Sequence, residues 1–401
     1  MMKNQSTFSD TLAGKRQLGP YPMEKLTRVD EPTTKITGEV QRFDQREHGF
    51  ARAARGDFEN LKRTDMSYRV ARDPLFPMFE SMFMGLPPTD NGTPLPTGHR
   101  RVSGHGFPHR PSDSTSAKHP LLEVSPEKAP LPDDPAVVSR NIKSMGYFLG
   151  ADVMGVCELP EWALYSCMPD GTPVETNHKY AITVVVDQDY RTLNGSTGYD
   201  WISGSPPQMS YLFSAFISSI VAGYIRRLGY QARVQHYMDY QVLIPPLLLM
   251  SGVGEMSRAR QVLNPFIGLR FKAAAVTTDL PLEPDKPVDF GLQDFCDKCK
   301  KCARECPSNS ISDGGRIMHN GYETWDFDYV SCTKQRVGNQ IGLGCGRCVN
   351  VCPWNKPKGF IHDTVRWSIS HIPLLNRVMI IMDDILGYGK PDVRDRWQLD
   401  L

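Results

Sequence analysis

The chain has 401 residues, 46 Lys and Arg against 45 Asp and Glu, and a formal charge of +1. That length suffices for one large or two to three smaller domains with a real core. Near-neutral charge with scattered basic residues gives no electrostatic footprint for nucleic acid or an anionic membrane surface, and ten cysteines in a chain this long do not make a small disulfide scaffold.

Met1 to Leu26 has one basic pair, Lys15-Arg16, and no apolar core after it. Neither a Sec nor a twin-arginine export signal is expected, so the protein is placed in the cytoplasm. Residues 1-130 are rich in Pro, Gly and charge with little periodicity, and Pro87-Pro88 through Pro132 reads as a wrapping segment rather than a domain. Within it, Leu75 to Met84 sets Phe76, Phe79 and Phe83 at helical spacing, which is expected to dock the extension on a core.

Residues 131-290 read as a compact core. Asp134-Pro135 offers an N-cap and a first-turn Pro to a helix through Val138, Ile142 and Met145. Ala151 to Val156 reads as a short strand, and Tyr180 to Val186, β-branched on both faces, as a strand covered on both sides. A helix from Met209 to Leu228, closed by Gly229, precedes strands near Ala232 to Tyr237 and Ala273 to Asp279. Its apolar run, Tyr211 to Ile225, spans about 22 Å as a helix, short of a ~30 Å hydrocarbon core, so no transmembrane segment is expected. Alternating helices and strands argue for an α/β layer. No Gly-x-Gly-x-x-Gly follows a strand, so nicotinamide or flavin held in the Rossmann manner has no support.

Residues 291-358 carry the strongest signal. Cys296-x2-Cys299-x2-Cys302-x3-Cys306-Pro307 is the bacterial ferredoxin run, and Cys332-x12-Cys345-x2-Cys348-x3-Cys352-Pro353 nearly repeats it. The last cysteine of such a run ligates the other cluster when there are two. Cys296, Cys299, Cys302 and Cys352 are therefore assigned to one 4Fe-4S cluster, and Cys306, Cys332, Cys345 and Cys348 to a second. The twelve-residue gap is tolerable because loop-closure entropy grows slowly with length, and the register is unlike the paired Cys-x2-Cys of a zinc ribbon. Cys157 and Cys167 read as ordinary buried thiols. The tail, 359-401, holds one helix, around Pro373 to Leu386, expected to pack back on the core.

Gly252-Val253-Gly254-Glu255-Met256-Ser257-Arg258, Asn264-Pro265-x2-Gly268-x-Arg270 and Thr278-Asp279-Leu280-Pro281-Leu282 through Asp289-Phe290-Gly291, ahead of the interrupted cysteine runs, resemble the cobamide-dependent reductive dehalogenases. The resemblance covers roughly residues 135 to 390 and is to the cytoplasmic branch, without the C-terminal flavin-type reductase module that some members carry. It implies an α/β (α+β) fold: a nitroreductase-like cobamide-binding core with an inserted bacterial-ferredoxin-like two-cluster module. It implies a base-off cobamide beside two 4Fe-4S clusters, an organohalide substrate and an external low-potential donor of ferredoxin or flavodoxin type. Electrons would cross the clusters to give cob(I), which attacks the carbon-halogen bond. Tyr211 matches the family's proton-donating tyrosine and Arg270 its assisting cation, while Tyr237 stands where some members have a pocket Asn.

A phenol is protonated at neutral pH, and a guanidinium beside it would stabilise the phenolate. Ser214, Ala215, Ser218 and Ser219 share the helix stripe of Tyr211, against which a flat cofactor could lie while Phe213, Phe216, Ile217, Ile220 and Val221 bury elsewhere. Gly252 and Gly254 are assigned to close backbone approach of the cobamide's nucleotide tail, Ser257 and Arg258 to its phosphate or amides. Trp201, Met209 and Tyr237 are candidate substrate-pocket residues. Two other readings fit the cysteines: an epoxyqueuosine-reductase-like tRNA-modifying enzyme, and a non-enzymatic electron-transfer or cobamide-binding protein.

Overall fold

A computed structural model describes residues 17–58, 75–84, 86, 89, 120–204, 207–339 and 344–392. Lys15-Arg16 and most of the expected wrapping segment from Pro87 onward lie outside the described residues. Helix α1, Phe76–Met84, forms where the aromatic spacing predicts it. Asp134 then caps α2, Pro135–Phe148, by accepting from the Ala136 N–H, with Pro135 in the first turn. Strands β1, Val153–Glu158, and β2, Tyr180–Asp187, follow, and β2 is buried along its six central residues. Next come α3, Gln208–Arg227, β3, Ala232–Gln235, and β4, Phe271–Thr278.

The four strands form one sheet in the order β1-β2-β4-β3. Ile182 pairs with Val156 on one side and Val276 on the other, and Val276 pairs in turn with Val234. Every pairing is antiparallel, so the alternation that reads as α/β belongs to a mixed α+β arrangement. Helices α2 and α3 cover one face, burying Ile142, Ile217, Val221 and Ile225 on Ile182, Val184 and Val276.

That packing corrects the reading of α3. Ser214, Ala215, Ser218 and Ser219 are 0–3% exposed, whereas Phe213 and Phe216 are 50% and 54% exposed. At 3.6 residues per turn the small side chains fall on the face of Ile217, Val221 and Ile225. They let the helix approach the sheet rather than leave a floor for a flat cofactor. By length and composition α3 could cross a membrane, yet more than half of it is buried inside the protein.

The cysteine-bearing part follows the core. It contains α4, Leu292–Cys299, a short turn Lys301–Arg304, a hairpin of β5, Ile311–His319, with β6, Tyr322–Phe327, then α5, Tyr329–Gly338, and a turn Arg347–Asn350. The tail holds two helices where the sequence predicts one: α6, Phe360–His371, and α7, Asn376–Ile385, the latter entered through a 3-10 turn at Pro373–Leu375. Helix α6 lacks a capping side chain after Gly359 and has an apolar outer face, which obscures its start in sequence. The N-terminal extension ties the parts together: Thr27–Arg28 pairs with Val288–Asp289, and Arg28 donates to the Lys286 carbonyl at 2.8 Å.

A candidate redox and proton-transfer site

Eight thiols gather as two groups of four. Cys296, Cys299, Cys302 and Cys352 line one cavity, closed by Phe295, Leu269 and Trp354. Burial raises all four thiols, Cys299 to about 11 and Cys352 to about 12; neighbouring thiols add to the rise at Cys296, Cys302 and Cys352, and Asp383 adds to it at Cys299. Cys306, Cys332, Cys345 and Cys348 repel one another in the same way, burial being the larger cause. Cys306 differs: against burial, hydrogen bonds from Ser308, Ser310 and Ile311 hold it below the ordinary thiol value. Four thiols sharing a cavity, one buried and three half-buried, need a cation to become thiolates, which is what an iron-sulfur cluster supplies. Among the described residues no three His, Cys, Asp or Glu converge tightly enough for a single metal ion, whereas a cubane holds its thiolates further apart.

Tyr211 lies in the first turn of α3 and faces β4. Its ring packs on Tyr237 at 4.5 Å between centroids, and Lys272 Nζ stands 4.9 Å from its centre. The register explains Lys272: opposite Val186, it shares the helix-facing side of β4 with Ala274 and Val276. Burial, and then the nearby Arg336 on α5, lower Lys272 to about 7, while Cys348 of the second thiol group acts in the opposite sense. Burial raises the Tyr211 phenol, opposed by Arg336. Phe76 of α1 closes the pocket with Met82 and Leu86. The aromatic segment thus docks on the site itself. Tyr165, buried, and Tyr240, half-buried, complete a tyrosine cluster around Tyr211.

Other predicted residues sit elsewhere. Arg270, 2% exposed, is locked to Asp187 at 2.9 Å and donates to Asn355 Oδ1 and the Lys356 carbonyl; it does not meet Tyr211. It precedes β4 in a turn whose carbonyl accepts from Gln188, so its side chain leaves the strand's alternation. The cation at Tyr211 is Lys272, which sequence reasoning passed over; the signal lay two residues beyond Arg270 in an otherwise apolar strand.

The Gly-Glu-x-Ser-Arg segment is a staple between core and cysteine module. Glu255 accepts from the Phe290 N–H and from Thr33 Oγ1, and Arg258 donates to the carbonyls of Cys296, Ser312 and Gly314. Ser257 Oγ donates to the Gln261 carbonyl within its own turn, and both Ser257 and Arg258 border the cavity of the first thiol group. Gly252, at φ +66°, leaves room for the Lys286 carbonyl, which a Cβ would approach to 2.3 Å, and Gly254 leaves room for the Leu263 carbonyl. These four residues are engaged by the protein itself. Of the three pocket candidates only Tyr237 reaches Tyr211; Trp201 lies in the turn before α3, and Met209 is 36% exposed.

Gln188 Nε2, Trp354 Nε1 and Asn355 Nδ2 are among the buried donors that find no partner. Gln188 and Asn355 flank Arg270, since the Gln188 N–H donates to its carbonyl and its guanidinium donates to Asn355, and Trp354 closes the cavity of the first thiol group. Such donors fit a ligand rich in amide and phosphate acceptors.

Residues 295–356 match the family of 4Fe-4S dicluster domains. The tetrachloroethene reductive dehalogenase of Sulfurospirillum multivorans is 32% identical over 302 residues, 66% of this chain and 60% of that protein. A solved reductive dehalogenase described in terms of B12-dependent dehalogenation aligns with 98% of this chain and 53% of its own, at 36% identity and a TM-score of 0.81. A catabolic reductive dehalogenase in complex with 3-bromo-4-hydroxybenzoic acid aligns with 97% and 53%, at 37% identity and a TM-score of 0.79. The chain is similar to the reductive dehalogenases along most of its length. It spans a little over half the length of these relatives.

Proposed function

We propose that this chain is a corrinoid and iron-sulfur reductive dehalogenase, replacing a carbon-bound halogen by hydrogen. The observation that carries the reading is the Tyr211 phenol held between Tyr237 and Lys272, under Phe76 and within the electrostatic reach of the second thiol group. Two 4Fe-4S clusters fit the two thiol groups, and a base-off cobamide fits the nitroreductase-like core, with Gln188, Trp354 and Asn355 as donors to its periphery. The bound corrinoid supplies the low-potential reduction of the carbon-halogen bond.

The chain's own residues do the rest. Phe76, Tyr237 and Met238 shield the pocket from water. Tyr211 Oη, kept protonated by burial, holds the proton that replaces the halogen. Lys272, as an ammonium beside the ring, stabilises the phenolate left behind. Arg336 adds positive charge between the phenol and the thiol group, favouring an anionic product of proton transfer. The aromatic lining suits a planar, phenol-type organohalide such as the 3-bromo-4-hydroxybenzoic acid bound by the structural relative. An external donor of ferredoxin or flavodoxin type would feed the clusters, and no nucleic acid is required.

The test is halide release by anaerobically reconstituted protein with a chemical reductant. Tyr211→Phe, at unchanged iron and cobalt content, is expected to lose roughly 10²-fold or more in rate. Undiminished turnover would remove the phenol from the chemistry.

A further inference from the structure

The inward and outward sides of α7 have unrelated characters. Inward, Asn376, Ile380 and Asp383 are buried, and Asp383 bridges the ammonium groups of Lys301 at 2.5 Å and Lys356 at 2.7 Å. The same carboxylate acts electrostatically on Cys299 and Cys352, so α7 is clasped directly onto the first thiol group. Outward, Leu374, Val378, Ile381, Ile385 and Leu386 are 50–90% exposed, and Trp367 of the neighbouring α6 is 56% exposed. A contiguous apolar face of this kind marks an interaction site.

Its rim is basic. Lys300, exposed, borders the cavity of the first thiol group, and Arg377 is exposed in the first turn of α7. Among the described residues neither has an acidic partner. Arg304, 54% exposed, is paired with Asp384 of α7 and with Glu305, so it adds no net charge. Lys298 reaches from α4 to the Pro373 carbonyl and joins the two flanks.

We infer that the outer face of α7, with the Lys300–Arg377 rim, is the docking surface of a small acidic electron-transfer protein that delivers electrons to the first thiol group's cluster; this rests on the proposed function. Electron tunnelling falls steeply with distance, so a donor must seat close to a cluster, and this face lies one helix away from the first thiol group. Redox encounters use small apolar patches, with rim charges steering association and selecting an oppositely charged partner. A second copy of this chain would set like charges against each other at the same rim.

The experiment uses the full chain with clusters filled and two reductants: a pre-reduced acidic two-cluster bacterial ferredoxin, and titanium(III) citrate. Stopped-flow bleaching of the clusters is followed for wild type, Ile381→Glu with Ile385→Glu, and Arg377→Glu, whose iron content and far-UV dichroism should match wild type because all three sites are exposed. The ferredoxin-driven rate is expected to fall about tenfold in each variant and to fall with ionic strength in wild type, while the titanium(III) citrate rate stays unchanged. An unchanged ferredoxin rate overturns the assignment. It is overturned equally if the variants alter only sedimentation mass, which assigns the face to a second copy, or only binding to phosphatidylserine-containing vesicles, which assigns it to lipid. A failure of the dehalogenase reading shows separately, as absent halide release with titanium(III) citrate.

Discussion

At the scale of single residues, the proposed proton transfer depends on which charge accompanies Tyr211. A lysine lowered to about 7 by burial and by Arg336 is half-protonated near neutrality. It assists a phenolate only as the ammonium, so its help is present below about pH 7 and lost as the pH rises through that value. Halide release is therefore expected to fall on the alkaline side of neutrality, and Lys272→Arg, charged throughout, to remove that limb from the rate profile. A limb that survives the substitution unchanged belongs to another group. The place of Tyr211 in the first turn of α3 was legible from the sequence. Lys272 was not, because only the pairing of β4 with β2 shows which side of the strand meets α3. Arg270 was the more conspicuous cation in sequence, yet its fork matches the Asp187 carboxylate and is consumed there.

At the scale of elements, two contacts are sensitive. Asp383 joins two buried lysines, and Asp383→Ala leaves both ammonium groups without that counter-charge, at a cost of about 3–5 kcal/mol. The expected result is release of α7 from the cysteine module, read as faster proteolysis of the tail and lower iron retention. On α3, Ser218 is fully buried against the sheet and its Oγ has no partner. Ser218→Ala should be neutral or stabilising, and Ser218→Leu should cost about 1–3 kcal/mol by overpacking, measured by denaturant unfolding. Equal effects of the two would show that α3 does not press on the sheet there. Element positions followed from local signals: the Asp134 cap, the β-branched run of β2 and the phenylalanine spacing of α1 all fall where the structure has them. Antiparallel pairing did not follow, since it depends on which strands meet rather than on any one strand's composition. The floor expected along α3 failed because polar-looking serines pack as small residues when a helix lies close to a sheet.

At the scale of the whole molecule, the crossed cysteine sets were the most legible feature, because ligand spacing is constrained by the geometry of the metal group rather than by tertiary context. Cys306 sits in the first run but groups with Cys332, Cys345 and Cys348. Cys306→Ser is accordingly expected to deplete one paramagnetic cluster signal while sparing the one held by Cys296, Cys299, Cys302 and Cys352; loss of both, or of the other, would contradict the crossing. The roles of the Gly-Glu-x-Ser-Arg segment were the least legible, since Arg258 spans to the cysteine module while Ser257 bonds within its own turn and Gly252 and Gly254 make room for neighbouring backbone. Everything then turns on whether the assembled chain couples its clusters to a corrinoid. The direct measurement is bromide release from a bromophenol by anaerobically reconstituted protein under titanium(III) citrate, with and without cobalamin. The account predicts release that requires both cobalamin and a full complement of about eight irons; protein that holds its iron and binds cobalamin yet releases no bromide, or releases it equally without cobalamin, would contradict it.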